Sequence, residues 1–196
     1  MCLKNLVFVT VFVFIFQGVS AQRNYTDYNL LGVQGGVALF DINTSDLVTE
    51  QQTGFAAGFT TRGAFYEKFD LVYGITFVSA NIGVSGAELG VGPKEIIKYN
   101  IPSAQLNLLG SFNIISQRLS VEFGPLLNIN GKMKLNNERF ANYILDGYST
   151  LRAQDIEEIS TINFRVMGGL TAGLEKFRVS AHYQYGVTNM LGKLND

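Results

Sequence analysis

Five side chains stand out as able to do chemistry: Arg62, Glu122, Arg165, Arg178 and His182. Each sits in a stretch of alternating apolar and small polar residues, and each falls on the polar alternate. Glu122 and Arg165 are expected on neighbouring strands, within reach of an ion pair. Such a set suits an internal salt-bridge and hydrogen-bond network. The excess of arginine leaves a narrow anion-preferring path as the functional alternative. His182 is the only histidine, and one imidazole with scattered carboxylates makes a poor transition-metal site. It is expected to serve as a luminal hydrogen-bonding group.

Other combinations carry less. Asp155, Glu157 and Glu158 are close enough in sequence to meet a hard cation, but they lack the glycine-containing ligand loop of an EF-hand and read as a solvated loop. Gly90-Val91-Gly92-Pro93-Lys94 lacks the Walker spacing and the Ser or Thr after the lysine. Nothing groups a serine with a histidine and an aspartate, so no catalytic residue is assigned. Asn24-Tyr25-Thr26 and Asn43-Thr44-Ser45 match glycosylation acceptors, which matter only in a eukaryotic secretory route. No cofactor is implied.

The elements that position the charged set alternate with a period of two. Strands are predicted over 30–40, 53–65, 69–79, 99–112, 118–130, 161–172 and 176–188. In the third, Leu71, Tyr73, Ile75 and Phe77 share one face, with Asp70, Gly74 and Thr76 opposite. Val72 and Val78 also fall on that opposite face. In the fifth, Leu119, Val121, Phe123 and Leu127 alternate with Ser120, Glu122, Gly124 and Asn128. Pro102 is placed near the start of the fourth strand, because proline cannot donate into a ladder. The spacers run long, short, long, short, long, short. The long ones are 41–52, 80–98 and 131–160. The last reads as polar, with turn signals at Asn136-Asn137 and Asp146-Gly147 and a possible helical turn over 139–145.

Alternating spacers describe an antiparallel up-and-down meander. Parity alone does not say which face is inside. The polar set is rich in glycine and small residues, as a narrow interior requires. The apolar set holds Phe55, Phe65, Phe69, Phe77, Phe177, Tyr183 and Tyr185 near strand ends, suited to interfacial girdles. The expected fold class is therefore all-β, an antiparallel up-and-down transmembrane β-barrel with charges luminal. The competing reading of the same aromatics is the packed core of a soluble sandwich or calyx.

The beginning of the chain reads differently. Lys4, the apolar run Leu6 to Phe16 and the small residues Val19-Ser20-Ala21 have the layout of a secretory signal over 1–21, cut ahead of Gln22. The run is short for a membrane helix of about 20 residues, and an uncleaved anchor is the alternative. Cys2 is the only cysteine and lies away from the cut, which argues against lipidation. Removing Lys4 leaves 14 basic against 16 acidic residues, a balance near −2 that offers no footprint for nucleic acid. The mature domain, 22–196, shows seven strands. Bacterial single-chain barrels carry an even number, so an eighth, C-terminal strand is expected and the domain is read as truncated.

Four motifs carry a resemblance: Gly32-Val33-Gln34-Gly35-Gly36, Ile101-Pro102, Phe123-Gly124-Pro125 and Tyr183-Gln184-Tyr185-Gly186. With the signal layout, they make the chain similar to the PorT-like outer-membrane β-barrel domain, a porin-family group of small barrels. The resemblance implies eight antiparallel strands in an outer membrane and offers no catalytic residues. PorT itself is associated with protein secretion; this chain departs from the pattern in lacking the last strand. The expectation is a non-enzymatic outer-membrane protein contacting lipid, with a structural, binding or assembly role and a possible protein partner at its long loops. A narrow diffusion pore and a secreted calyx for an apolar ligand remain the alternatives.

Overall fold

A computed structural model of the protein describes residues 28–192 apart from 43, 45, 46, 91, 117 and 175. The signal-like segment 1–21, Asn24 and Asn43 lie outside the described residues. Seven strands follow one another in space as they do in sequence: β1 (Asn29–Phe40), β2 (Thr49–Tyr66), β3 (Phe69–Ala87), β4 (Glu95–Ile115), β5 (Leu119–Asn130), β8 (Ile162–Gly173) and β9 (Arg178–Gly186). Every neighbouring pair is antiparallel. Two short strands lie off this path within the long 131–161 connection: β6 (Lys134–Leu135) pairs with β4, and β7 (Ile144–Leu145) pairs with β3. The fold is all-β and up-and-down.

The sheet is curled. Arg62 of β2 meets Glu122 of β5, Glu122 meets His182 of β9, and Gln105 of β4 meets Gln184 of β9. Side chains of non-adjacent strands touch only when their common face is concave. Seven alternating strands leave β1 and β9 running in the same direction. No strand among the described residues pairs with their outer edges. Antiparallel closure of this curl requires one further strand running opposite to both.

The short connections cluster at one end, the turn end. The tightest joins β2 to β3 through Glu67 and Lys68, and Glu67 takes φ 44°. A two-residue hairpin loop needs positive φ at its first central position to match strand twist. The long connections gather at the opposite, loop end.

Strand parity holds as predicted, but the chemistry of each face exchanges along the strands. Near the turn end, β3 sends Phe69, Tyr73, Ile75 and Phe77 outward, all exposed, and buries Asp70 inward. From Ser79 onward the same parity continues with reversed character. Ser79 and Asn81 now face out, while Ala80, Ile82 and Val84 are buried inside. Running the other way, β4 mirrors this. Ile97, Tyr99 and Ile101 are buried inward and give way to Gln105, Ser111 and Asn113; Lys98, Asn100 and Pro102 face outward and give way to Leu106, Leu108 and Phe112. The exchange falls at matched register, where Val78 pairs with Ser103 and Ser79 with Pro102.

Three expectations are corrected here. The spacer 80–98 is mostly strand, because Ile82, Val84, Ile97 and Tyr99 gain a core by continuing the ladder. Pro102 is therefore in mid-strand. Its carbonyl accepts from Gly131 N at 2.8 Å, so its missing N–H faces the edge where β5 has just ended. The connection 131–161 is not simply polar. Met133, Leu145, Ala153, Ile156 and Ile159 fold over the loop end and pack with Leu47, Ile82, Val84, Ile97, Tyr99 and Leu191. The helical turn expected over 139–145 is confined to a 3-10 turn at Glu138–Phe140, Ile144 and Leu145 being strand, and a second 3-10 turn covers Ala153–Ile156. Asn137 caps the first, its Oδ1 accepting from Arg139 N at 3.1 Å, and Gly147 takes φ 91°.

Small inward residues are needed for a reason other than lumen width. A Cβ on Gly58 would lie 2.1 Å from Ile75 O, and one on Gly74 2.2 Å from Phe59 O. The obstacle is the backbone of the adjacent strand, drawn close by the coiling of the sheet.

Candidate functional site

The charged set converges on Arg62. Its guanidinium donates to Asp70 Oδ2 at 3.2 Å, to Ser111 Oγ at 2.6 Å and to Glu122 Oε1. Glu122 Oε2 also bonds His182 Nε2 at 2.8 Å. One cation thus ties β2 to β3, β4 and β5, and one carboxylate carries the link to β9. Arg62 is 7% exposed, Asp70 1% and Glu122 2%. Buried ions demand this density of partners, since an unpaired charge out of water costs several kcal/mol. The register explains the meeting. Arg62 pairs with Val72 and Asp70 with Ser111, so Arg62 reaches diagonally across the tight β2–β3 hairpin.

Of the five sequence-predicted residues, the structure unites Arg62, Glu122 and His182. Arg165 stands apart, and its expected pairing with Glu122 does not occur. β5 and β8 are indeed neighbours, but Glu122 is opposite Gly169 while Arg165 is opposite Leu126. Arg165 Nη1 instead donates to Gln184 Oε1 at 3.3 Å, and its guanidinium carbon lies 5.5 Å from the centre of the Phe40 ring. Arg178 is opposite Gly173 near the turn end. Its Nη2 is buried without a hydrogen-bond partner among the described residues.

Asp70 is the member that sequence reading left out. It is the second residue of its strand and looked terminal, although it shares the inward parity of Thr76 and lies eight positions beyond Arg62 across a two-residue turn. A second polar group also went unrecognised. Asn130 Nδ2 donates to Asn163 Oδ1 at 2.5 Å, Asn128 donates to Asn130, and Asn163 Nδ2 reaches Thr188 Oγ1 at 3.1 Å. Between the two groups, Val72, Leu109, Leu126 and Met167 form a small apolar plug.

This arrangement suits holding rather than reacting. Ser111 and Ser120 bond the Glu122 carboxylate at 3.5 Å, not the imidazole. An acyl-transfer triad needs the reverse, with the hydroxyl on histidine and the carboxylate behind it. Asp155, Glu157 and Glu158 are engaged separately, by Arg152 N, Leu135 N and Lys132 Nζ. No cluster with metal-ligating composition occurs among the described residues. Lys94 of the glycine-rich segment pairs with Asp146 at 2.6 Å.

At the loop end, Tyr99 is fully buried and its hydroxyl donates to Ala153 O at 2.9 Å. Burial, with the nearby Glu157 and Asp155 charges, pushes its pKa well above the usual tyrosine value. Tyr143 donates to Glu95 Oε1 at 3.1 Å, and desolvation together with that carboxylate raises its pKa as well.

No protein family, no curated protein and no solved structure matches the chain.

Proposed function

We propose that this chain is a small outer-membrane β-barrel protein without enzymatic activity, whose role is structural, binding or assembly-related and is exercised through its long connections. The exchange of chemistry along β3 and β4 carries the reading. The outward apolar run from Phe69 to Phe77 covers roughly 27 Å of strand. At a tilt of about 40° it accounts for about 20 Å of the apolar height that barrels present to lipid. Leu31 at 79% and Phe59 at 57% exposure would be costly in water, whereas the inward Arg62 network would be the wrong core for a soluble calyx. Above that band, hydrophobic residues return to the inside, as they must where the outer solvent is water.

The signal-like segment 1–21 and the PorT-like motifs are consistent with delivery to an outer membrane. The inward Arg62 network and the Val72, Leu109, Leu126 and Met167 cluster favour a scaffold over the diffusion pore.

The chain contains no tryptophan, so single tryptophans can report depth. Phe59→Trp in liposomes is expected to be quenched strongly by lipids brominated near the bilayer centre, and Asn100→Trp weakly. Equal quenching at both positions, or a protein that stays in aqueous supernatant without detergent, would overturn the reading.

A further inference from the structure

A depression opens in the outer wall just below the level where its chemistry changes. Ala57 pairs with Phe77, Phe77 with Ala104 and Ala104 with Ile129, so one row across β2 to β5 alternates small and large outward side chains. A shallow, widely open depression of about 720 Å³ lies over the small ones, with Phe55 and Ile129 at its sides and Pro102 and Gly131 at its upper rim. Directly above, the wall turns polar. Asn100 Nδ2 donates to Ser79 Oγ at 2.7 Å and to Asn81 Oδ1 at 2.9 Å, and Asn81 Nδ2 donates to Thr53 O at 2.7 Å.

Two lysines stand on this ledge. Lys134 pairs with Asn100 and so shares its outward side, and Lys98 lies two residues further along β4. Both are exposed, and neither forms an ion pair among the described residues. Glu50 shares the row of Lys98 across Gly83 and accepts from Gln52 Nε2 at 3.2 Å. Lys98 therefore has an acidic neighbour, and Lys134 has Glu157 near it, whose Oε1 accepts from Leu135 N at 3.3 Å. Lys132 is held near Glu158 at 3.8 Å.

An apolar slot surmounted by two cations has the polarity of an amphiphile with an anionic head. The slot alone would accept any acyl chain; the ledge selects, because lysines at a membrane surface attract acidic lipids. We propose that groove and ledge together hold one phosphate-bearing anionic lipid, with an acyl chain against Ala57 and Ala104 and the phosphate at Lys134 and Lys98. This rests on the bilayer reading above.

The test is native mass spectrometry of the full chain, refolded in detergent and offered equimolar phosphatidylglycerol and phosphatidylcholine. Phosphatidylglycerol should be retained about five-fold or more over phosphatidylcholine. Lys98→Gln with Lys134→Gln should bring the ratio to about one. Ala104→Leu, which fills the slot, should lower retention of both lipids while circular dichroism stays unchanged. Equal retention by the unaltered protein, or a preference indifferent to the lysine changes, would overturn the site while leaving the barrel intact. A chain soluble without detergent would overturn the bilayer reading and, with it, this one.

Discussion

The two halves of β3 and β4 obey the same alternation with opposite contents. Towards the turns, the outer face is apolar and the inner face holds Arg62, Asp70, Ser111 and Glu122; towards the long connections, the outer face holds Asn81, Lys98 and Asn100, and the inner face is Ile82, Val84, Ile97 and Tyr99. Backbone geometry is continuous through the change, with an unbroken register from Phe69–Phe112 to Gly86–Glu95. A strand's parity thus fixes which residues are neighbours; under the bilayer proposal, the solvent outside sets which chemistry each parity carries. The turn-end half is held by directed polar bonds, and the loop-end half by apolar packing under a folded connection.

The largest expected blow to that contrast falls on the polar half. Glu122→Ala leaves Arg62 and the nearby Arg178 with Asp70 alone to balance them and should cost about 3–5 kcal/mol, read as a lowered urea midpoint of the refolded protein. A loss under 1 kcal/mol would mean that water already reaches Arg62. Next comes a matched pair on the outer face. Phe59→Arg should cost about 2–4 kcal/mol in a bilayer, whereas Asn100→Arg, which gives up bonds to Ser79 and Asn81, should cost about 1 kcal/mol. Equal costs would erase the distinction between the two outer surfaces.

Tyr99 sharpens the comparison from the other half. Its folded pKa is raised, so its contribution is complete below pH about 10, the ordinary tyrosine value, and is lost as pH rises beyond it. The loop end should loosen in strong alkali, seen as new protease cleavage within 131–161. Tyr99→Phe should remove that alkaline step while costing about 1 kcal/mol at neutral pH through the lost bond to Ala153. The smallest effect is expected at the hairpin. Glu67→Gly relieves a left-handed backbone and should stabilise by about 1 kcal/mol, without altering either half.

Much of the turn-end half was legible in sequence. Alternation over Leu71 to Phe77 and over Leu119 to Asn128 gave strands, their order and the common face of Arg62, Glu122 and His182, and the small residues on that face put it inward. The loop-end half was hidden by the exchange itself. Past Ser79 the apolar residues shift from odd to even positions, which reads as the end of a strand, and glycines at 83 and 86 reinforce that impression. The site was legible by face and not by register. Arg165 was matched to Glu122 because their strands adjoin, but pairings such as Glu122–Gly169 are set by turn lengths that alternation does not specify. Asp70 was missed because a residue beside a turn looks solvent-facing until the diagonal contact is known.

The packed loop end has a consequence for how such a chain would reach its final place. In a bilayer, Lys98, Asn100 and the 131–161 connection must cross before Met133, Leu145 and Ile156 can close over Ile82 and Tyr99. Once that closure is made, withdrawal requires unpacking a hydrophobic cluster and dragging hydrated groups back through oil. If the bilayer proposal holds, the cap would act as a ratchet pawl, with residence secured by the slowness of exit as well as by the depth of the energy well.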